Sequence, residues 1–250
     1  MIPTPLPPRP RSTLLLSVLT GVLALSGPTA APLAAQALEL SPRPDETVLA
    51  VITLRDGAAA RLAHNHLVLA TDPSLTLRFD PMAPEATTFQ ASVPVEGLVV
   101  DDPARSDRLA PRIVELGILP DPPGTPSEGD REKIRNEMRS EDQLDAAGHP
   151  LITARLLGME RRQGSALVDS SLPSPDLFPW LARVELTVAG TAAVQRVAAR
   201  HEWEGGVLTV EATGVFRFTD FGIEPYSAFL GLVKVADPFH LYLHMVAESP

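Results

Sequence analysis

Phe239-His240-Leu241-Tyr242-Leu243-His244-Met245 closes the stretch from Val215 to Val246, and its reading decides the fold. Phe239, Leu241, Leu243 and Met245 fall on one side, and His240, Tyr242 and His244 on the other. Period two is the signature of a strand with one buried face. A helix would spread both sets around its circumference. The apolar face of this terminal strand needs a partner, either a facing sheet or a barrel wall.

Upstream, the chain offers many short strands separated by turn signals. Thr47 to Leu54 is rich in β-formers and stops before Asp56-Gly57; Leu62 to Leu69 and Leu75 to Phe79 follow, parted by Asp72-Pro73. Asp80-Pro81 ends that run, and Thr87 to Val100 reads as a longer strand bent at Pro94 and Gly97. Leu151 to Met159 and Ala182 to Ala189 are further strands. Ala193 to Trp203 and Val207 to Phe218 read as a hairpin across Glu204-Gly205-Gly206.

Residues 101–150 break the pattern. Leu109, Ile113 and Leu116 fit a short helix with Pro111 in an early turn, and Asp130 to Arg139 reads as a second helix capped by Asp130. The expected fold class is therefore all-β, an antiparallel barrel or sandwich with a helical insertion between strands (101–150).

Several strings carry a resemblance to a known family. They are Phe79-Asp80-Pro81 before Thr88-Phe89-Gln90-Ala91-Ser92-Val93-Pro94, then Arg139-Ser140-Glu141-Asp142-Gln143-Leu144-Asp145 with His149-Pro150-Leu151-Ile152. Thr219-Asp220-Phe221-Gly222-Ile223 with Leu230 to Asp237 completes the set. Together they resemble the YceI-like family over about Ile52 to Glu248. His149 stands where that family usually has Tyr, Gln143 where it often has Phe, and the segment before them is longer than usual. The resemblance implies a lipocalin-like antiparallel β-barrel and a periplasmic protein that binds polyisoprenoid or similar amphiphiles. An isoprenoid or quinone lipid is the implied ligand.

The N-terminus reads as an export signal. Arg9 and Arg11 precede an apolar run from Leu14 to Leu25, and Ala35-Gln36-Ala37 offers a small-x-small cleavage site. The apolar run is about a dozen residues, short of the roughly 20 that a membrane span needs. The expected domains are a signal peptide over 1–37 and a mature barrel over 38–250, periplasmic or secreted, with no stable membrane span in the mature chain. Removing the signal takes two Arg and no acid, so the formal charge moves from −10 to −12. An acidic surface repels phosphate backbones, so nucleic acid is not an expected partner. The chain has no Cys, which removes disulfides, thiolate catalysis and Cys-based metal sites, and leaves the core to stabilise the fold. An apolar small molecule is the expected partner. The residues leave the oligomeric state open, a homodimer included.

His64 and His66 are the candidate metal ligands. On a strand, positions i and i+2 share a face about 7 Å apart, so two imidazoles can converge on one ion. The other reading makes both polar residues that line a cavity or face water. His240 and His244, four apart on a strand, are about 13 Å apart and too far to share an ion. His149 and His201 pair with no nucleophile. Gly-x-Ser-x-Gly, His-Glu-x-x-His and phosphate-loop strings are missing, so no enzyme is expected. Phe216, Phe218, Phe221, Tyr226 and Phe229 cluster before the last strand. The first four, with Leu241 and Leu243, are the candidate ligand-binding residues, because the wall of a ligand-holding barrel is also its core. The leading function is non-covalent binding of an apolar or amphiphilic molecule. A His-dependent metal-binding or redox-accessory protein is the alternative, and a purely structural secreted domain the third reading.

Overall fold

The structure is a computed structural model of the chain, and it describes residues 37–250 apart from 63, 120–121 and 163–170; the side chains of Leu62 and Phe229 are also outside the description. The expected signal peptide falls almost wholly outside the described residues. The elements in order are β1 (Leu38–Pro42), β2 (Val48–Asp56), β3 (His66–Ala70), β4 (Ser74–Phe79), β5 (Thr88–Pro94) and β6 (Leu98–Val100). Two helices follow, α1 (Pro103–Glu115) and α2 (Glu128–Met138). The chain then completes β7 (Leu151–Arg161), β8 (Trp180–Val188), β9 (Thr191–Glu204), β10 (Val207–Arg217), the short β11 (Ser227–Ala228) and β12 (Val233–Glu248).

These strands form a closed antiparallel barrel of eight staves. Three staves are broken: β1 with β2, β3 with β4, and β5 with β6. The breaks lie at neighbouring places in the wall, at Arg43–Thr47, Thr71–Pro73 and Val95–Gly97. The second and third are tied together, since Thr71 N and Oγ1 both donate to Gly97 O, at 3.0 and 2.8 Å. Proline sits at each break (Pro44, Pro73, Pro94), where its missing N–H does least damage to the ladder. β10 and β12 pair over eleven positions, from Val207↔Glu248 to Arg217↔Pro238. The ring closes where β12 meets β1 at Ser41↔Glu248 and Pro42↔Ala247.

The terminal strand obeys its alternation. Leu241, Leu243 and Met245 face the barrel interior, and Phe239 packs with the interior cluster around Phe216 and Trp180. Its other face is not left to water. Tyr242 is buried beneath α1, with Ala50, Ile52, Leu67 and Leu69 of the same outer wall. Leu109 and Ile113 of α1 supply the covering layer. The barrel thus has two apolar faces here, one inside and one under the helix.

Four local expectations need correction. α1 begins at Pro103, earlier than the apolar spacing suggested, because Asp102 Oδ1 accepts from Arg105 N (2.9 Å) and Pro103 is suited to the first turn. Pro111 lies inside the helix, on its exposed side. Asp130 is not the cap of α2. Ser127 is, with its Oγ accepting from Asp130 N at 3.2 Å and donating to Asp130 Oδ2 at 2.7 Å. The run from Leu62 to Leu69 is not one strand: a 3-10 turn covers Ala60–Leu62 and β3 starts only at His66. The cause is Asn65, whose Oδ1 accepts from Arg55 N at 2.9 Å and holds a turn beside the end of β2. β1, absent from the sequence reading, is the strand that closes the ring.

Candidate functional site

The barrel encloses an inner chamber of about 200 Å³. Its wall is almost wholly aliphatic, with Leu49, Leu77, Val184, Leu243 and Met245 contributed by four different strands. At the end where β4, β8 and β9 meet, aromatic rings close the floor. His201 lies 5.3 Å from Phe79 and 5.5 Å from Trp180 by ring centroids, and the Arg161 guanidinium caps Trp180 at 4.9 Å. Burial, helped by the nearby Arg161 charge, holds the His201 imidazole below its ordinary pKa. It is therefore a neutral ring near pH 7.

A second chamber of about 370 Å³ forms the mouth at the other end. Val51, Val68, Leu98, Ile152, Leu186 and Leu241 line both chambers, so the two abut. The mouth volume falls in the range of about 300–1,000 Å³ usual for small-molecule sites. Ile134 and Met138 of α2 and Leu144 after it roof one side; Phe218, Phe221 and Tyr226 flank the other. The polar groups gather here: His64, His66, Lys133, Glu137, Gln143 and Lys234. An apolar tube with polar groups at one end suits an amphiphile lying lengthwise.

The strings that carried the resemblance build this mouth. Arg139 anchors the turn after α2 to the broken stave: its Nη2 donates to Glu96 O (2.6 Å) and its Nη1 pairs with Glu96 Oε2 (2.8 Å). Ser140 O accepts from Gln143 N and Asp145 N, which winds the turn tightly enough to drive Leu144 into the wall. Asp145 adopts a φ of 45° and its Oδ1 accepts from Gly148 N at 3.1 Å. His149 packs over Gly190 in the β8–β9 turn, where an added Cβ would lie 2.6 Å from its Cε1. Glycine is needed there twice over, since its φ is +76°.

Among the candidate ligand-binding residues, Phe218, Phe221, Tyr226 and Leu241 line the mouth chamber, and Leu241 and Leu243 line the inner one. Phe216 lines neither. It is fully buried between Phe221 and Phe239, with centroids 6.2 and 6.0 Å away, and supports the wall from within the core. His64 and His66 both face the mouth, but from different kinds of backbone: His66 opens β3 and His64 precedes the strand. The same-strand geometry that motivated a metal site is therefore not the one formed. His66 Nδ1 is engaged by Asp101 Oδ2 at 2.7 Å. No group of three or more His, Asp or Glu residues suited to a metal ion occurs among the described residues.

The sequence reading missed three parts of the site. The lysines of the mouth and the α2 roof come from distant segments with no local pattern to join them. Also unread was a charged cluster on the outer wall, where buried Glu211 accepts from Arg112, Arg200 and Tyr242.

The YceI-like domain model matches residues 62–247, and the chain belongs to the YceI-like family. Among solved structures it is similar to BcnA of Burkholderia cenocepacia, at 12% identity and a TM-score of 0.54, covering 82% of this chain and 99% of that one. It is also similar to the YceI protein of Campylobacter jejuni (13% identity, TM-score 0.49, 73% and 84% covered). A third is a polyisoprenoid binding domain from Saccharophagus degradans (10%, TM-score 0.46, 86% and 99%). The likeness to BcnA concerns the fold alone. No curated protein matches the sequence significantly. Among the described residues no helix is long and apolar enough to cross a membrane.

Proposed function

We propose that this chain is an exported, non-enzymatic binding protein that holds a long apolar or amphiphilic molecule, of isoprenoid kind, inside its barrel. One observation carries the reading: the aliphatic inner chamber abuts a mouth chamber where the polar groups are concentrated. Family membership supports it, because YceI-like proteins are binding proteins and not known enzymes. The driving force is burial. At about 25 cal/mol per Å² of apolar surface, an extended prenyl chain gains several kcal/mol on leaving water. The aromatic residues at the mouth add contact area around the entering chain.

Export rests on the leader, with Arg9 and Arg11, the Leu14 to Leu25 run and Ala35-Gln36-Ala37. N-terminal sequencing of protein from the cell envelope should begin within a few residues of Leu38, and an intact Met1 there would remove this part of the proposal. The binding reading is tested by organic extraction of protein purified without detergent, followed by mass spectrometry. A stoichiometric long-chain lipid is expected. A barrel that carries none, and takes up none from added prenyl lipids, would leave a structural domain as the better account.

A further inference from the structure

The chain has only two lysines, Lys133 and Lys234, among its 21 Lys and Arg residues. One stands on α2 and the other near the start of β12, and both line the mouth chamber. No described arginine lines it. Several arginines elsewhere are committed to fixed partners, as in Arg112–Glu211, Arg139–Glu96 and Arg217–Asp237. A guanidinium suits such planar, preset pairing; an ammonium is a compact charge on a flexible apolar stem. The stem can lie along a greasy wall while the charge stays at the opening.

Neither lysine is spent on the fold. Lys234 makes no ion pair among the described residues. Its stem lies over Gly231, where an added Cβ would come within 3.0 Å of Lys234 Cε. Lys133 has one contact, 3.3 Å to Asp130, with its side chain 81% exposed, and a surface pair of this kind is easily given up. The remaining polar lining is nearly balanced. His64, Gln143 and Tyr226 offer hydrogen-bond donors or acceptors, His66 Nδ1 is held by Asp101, and Glu137 is the one carboxylate in the lining. Two exposed ammonium groups, one of them paired with Asp130, thus share the mouth lining with one carboxylate, in a chain whose formal charge is −10. A neutral head would use none of that excess, and a cationic head would be repelled by it.

We propose that the mouth chamber selects an amphiphile whose apolar chain ends in an anionic head, a phosphate or a carboxylate, placed between Lys133 and Lys234. This rests on the apolar-chain reading and specifies its polar end. Lysine is well suited to phosphate as a point charge, and the exposed position makes the attraction sensitive to salt.

The test compares probes that share a chain and differ in the head: geranylgeranyl phosphate, geranylgeraniol and a fatty acid of similar length. Each is titrated into the wild type, into Lys133→Met with Lys234→Met, and into Lys133→Arg with Lys234→Arg. The phosphate should bind at least ten-fold more tightly than the alcohol at low salt, and the advantage should shrink as salt rises. The double Met variant should bring the phosphate to the alcohol's affinity while leaving the alcohol unchanged, and the double Arg variant should keep most of the preference. The fatty acid distinguishes a general anion site from a phosphate site. Equal affinity for phosphate and alcohol in the wild type, or a preference that survives the double Met variant, overturns the head-group assignment alone. Failure of both phosphate and alcohol to bind overturns the apolar-chain reading and this proposal with it. Both lysines are exposed, so unchanged melting temperatures are expected for the variants.

Discussion

Thr219 meets the Asp237 carboxylate twice, its N–H donating to Oδ1 and its hydroxyl to Oδ2, each at 3.0 Å. Arg217 Nη1 adds a third bond at 3.1 Å. Asp237 lies in the bulge of β12, where the register with β2 shifts between Val235 and Phe239. The Thr219-Asp220-Phe221-Gly222 string and the Val235-Ala236-Asp237-Pro238 string are thus two halves of one staple. Gly222, at φ 75°, turns the chain, and Phe221 and Phe239 pack side by side beneath it. Asp237→Ala should destabilise the fold by about 1 kcal/mol in urea unfolding, and Asp237→Asn by less, since an amide oxygen still accepts one bond. Partial burial pulls the Asp237 carboxyl up, but the bonds from Thr219 and Arg217 outweigh it and hold it below its ordinary 3.8. A pKa lowered on folding gives stability that is complete above the ordinary value and lost as the pH falls through the folded one. The gap between wild type and Asp237→Ala should therefore narrow in acid.

Glu211 ties α1 to the barrel. It is 4% exposed and accepts from Arg112 Nε (2.7 Å) and Nη2 (2.6 Å), Arg200 Nε (2.8 Å) and the Tyr242 hydroxyl (2.8 Å). Burial favours the neutral acid, yet the bonds from Arg112 and Tyr242 and the charges of Arg112 and Arg200 win, and the carboxyl sits below its ordinary 4.5. Glu211→Ala leaves two guanidiniums and a phenol facing one another at the foot of the helix. The expected cost is about 3–5 kcal/mol, the usual penalty for breaking a buried pair from one side. By the same sign as for Asp237, this stabilisation is present above about pH 4.5 and disappears below it. Thermal melts of wild type and Glu211→Ala from pH 7 to pH 3 should converge at the acid end. A constant difference would mean that the cluster acts by shape rather than charge.

Asp101 fixes the orientation of the His66 ring through Nδ1 and leaves Nε2 facing away from it. It is 1% exposed, holds a φ of 48°, and accepts from Leu67 N and the His66 ring, both at 2.7 Å. Asn tolerates that left-handed backbone and Ala does not. Asp101→Ala should therefore destabilise more than Asp101→Asn, with the difference read from urea midpoints. Zinc added to the purified protein should leave the melting temperature unchanged. A rise that vanishes in His64→Ala with His66→Ala would restore the metal reading.

What the sequence discloses follows the range over which each signal acts. The parity of Phe239 to Met245 is local, so the inward face was legible from alternation alone. The burial of Tyr242 was not, because the cover on the outer face comes from Leu109 and Ile113, more than a hundred positions upstream. Asp102-Pro103 was a readable helix start that the apolar spacing of α1 obscured. Leu38 to Pro42 looks like the frayed end of a leader, and its role as the closing strand arises only through pairing with β4 and β12. The family strings were legible as strings. Their meaning, a clamp on Glu96 and a staple on Asp237, needed the fold. The mouth is least legible of all, since Lys133, Leu144 and Lys234 converge from separate segments.

The lumen itself can be tested at Leu243. It lies on β12 opposite Ala212 of β10 and Leu49 of β2, and points into the inner chamber. An indole there adds bulk to a space of about 200 Å³, with small Ala212 beside it to make room for the ring. Overpacking of this kind costs about 1–3 kcal/mol, which a barrel paired around its whole circumference should survive. Leu243→Trp should therefore fold, melt somewhat lower, and retain at least ten-fold less of a long prenyl chain. Leu241→Trp, at the junction of the two chambers, should block entry in the same way. Val194→Trp is the control: Val194 is 45% exposed, so the same bulk added there leaves the lumen open and retention unchanged. If Leu243→Trp and Leu241→Trp hold the chain as well as the parent does, the apolar tube is not where it sits, and the carrier reading fails whatever lipid the protein brings with it.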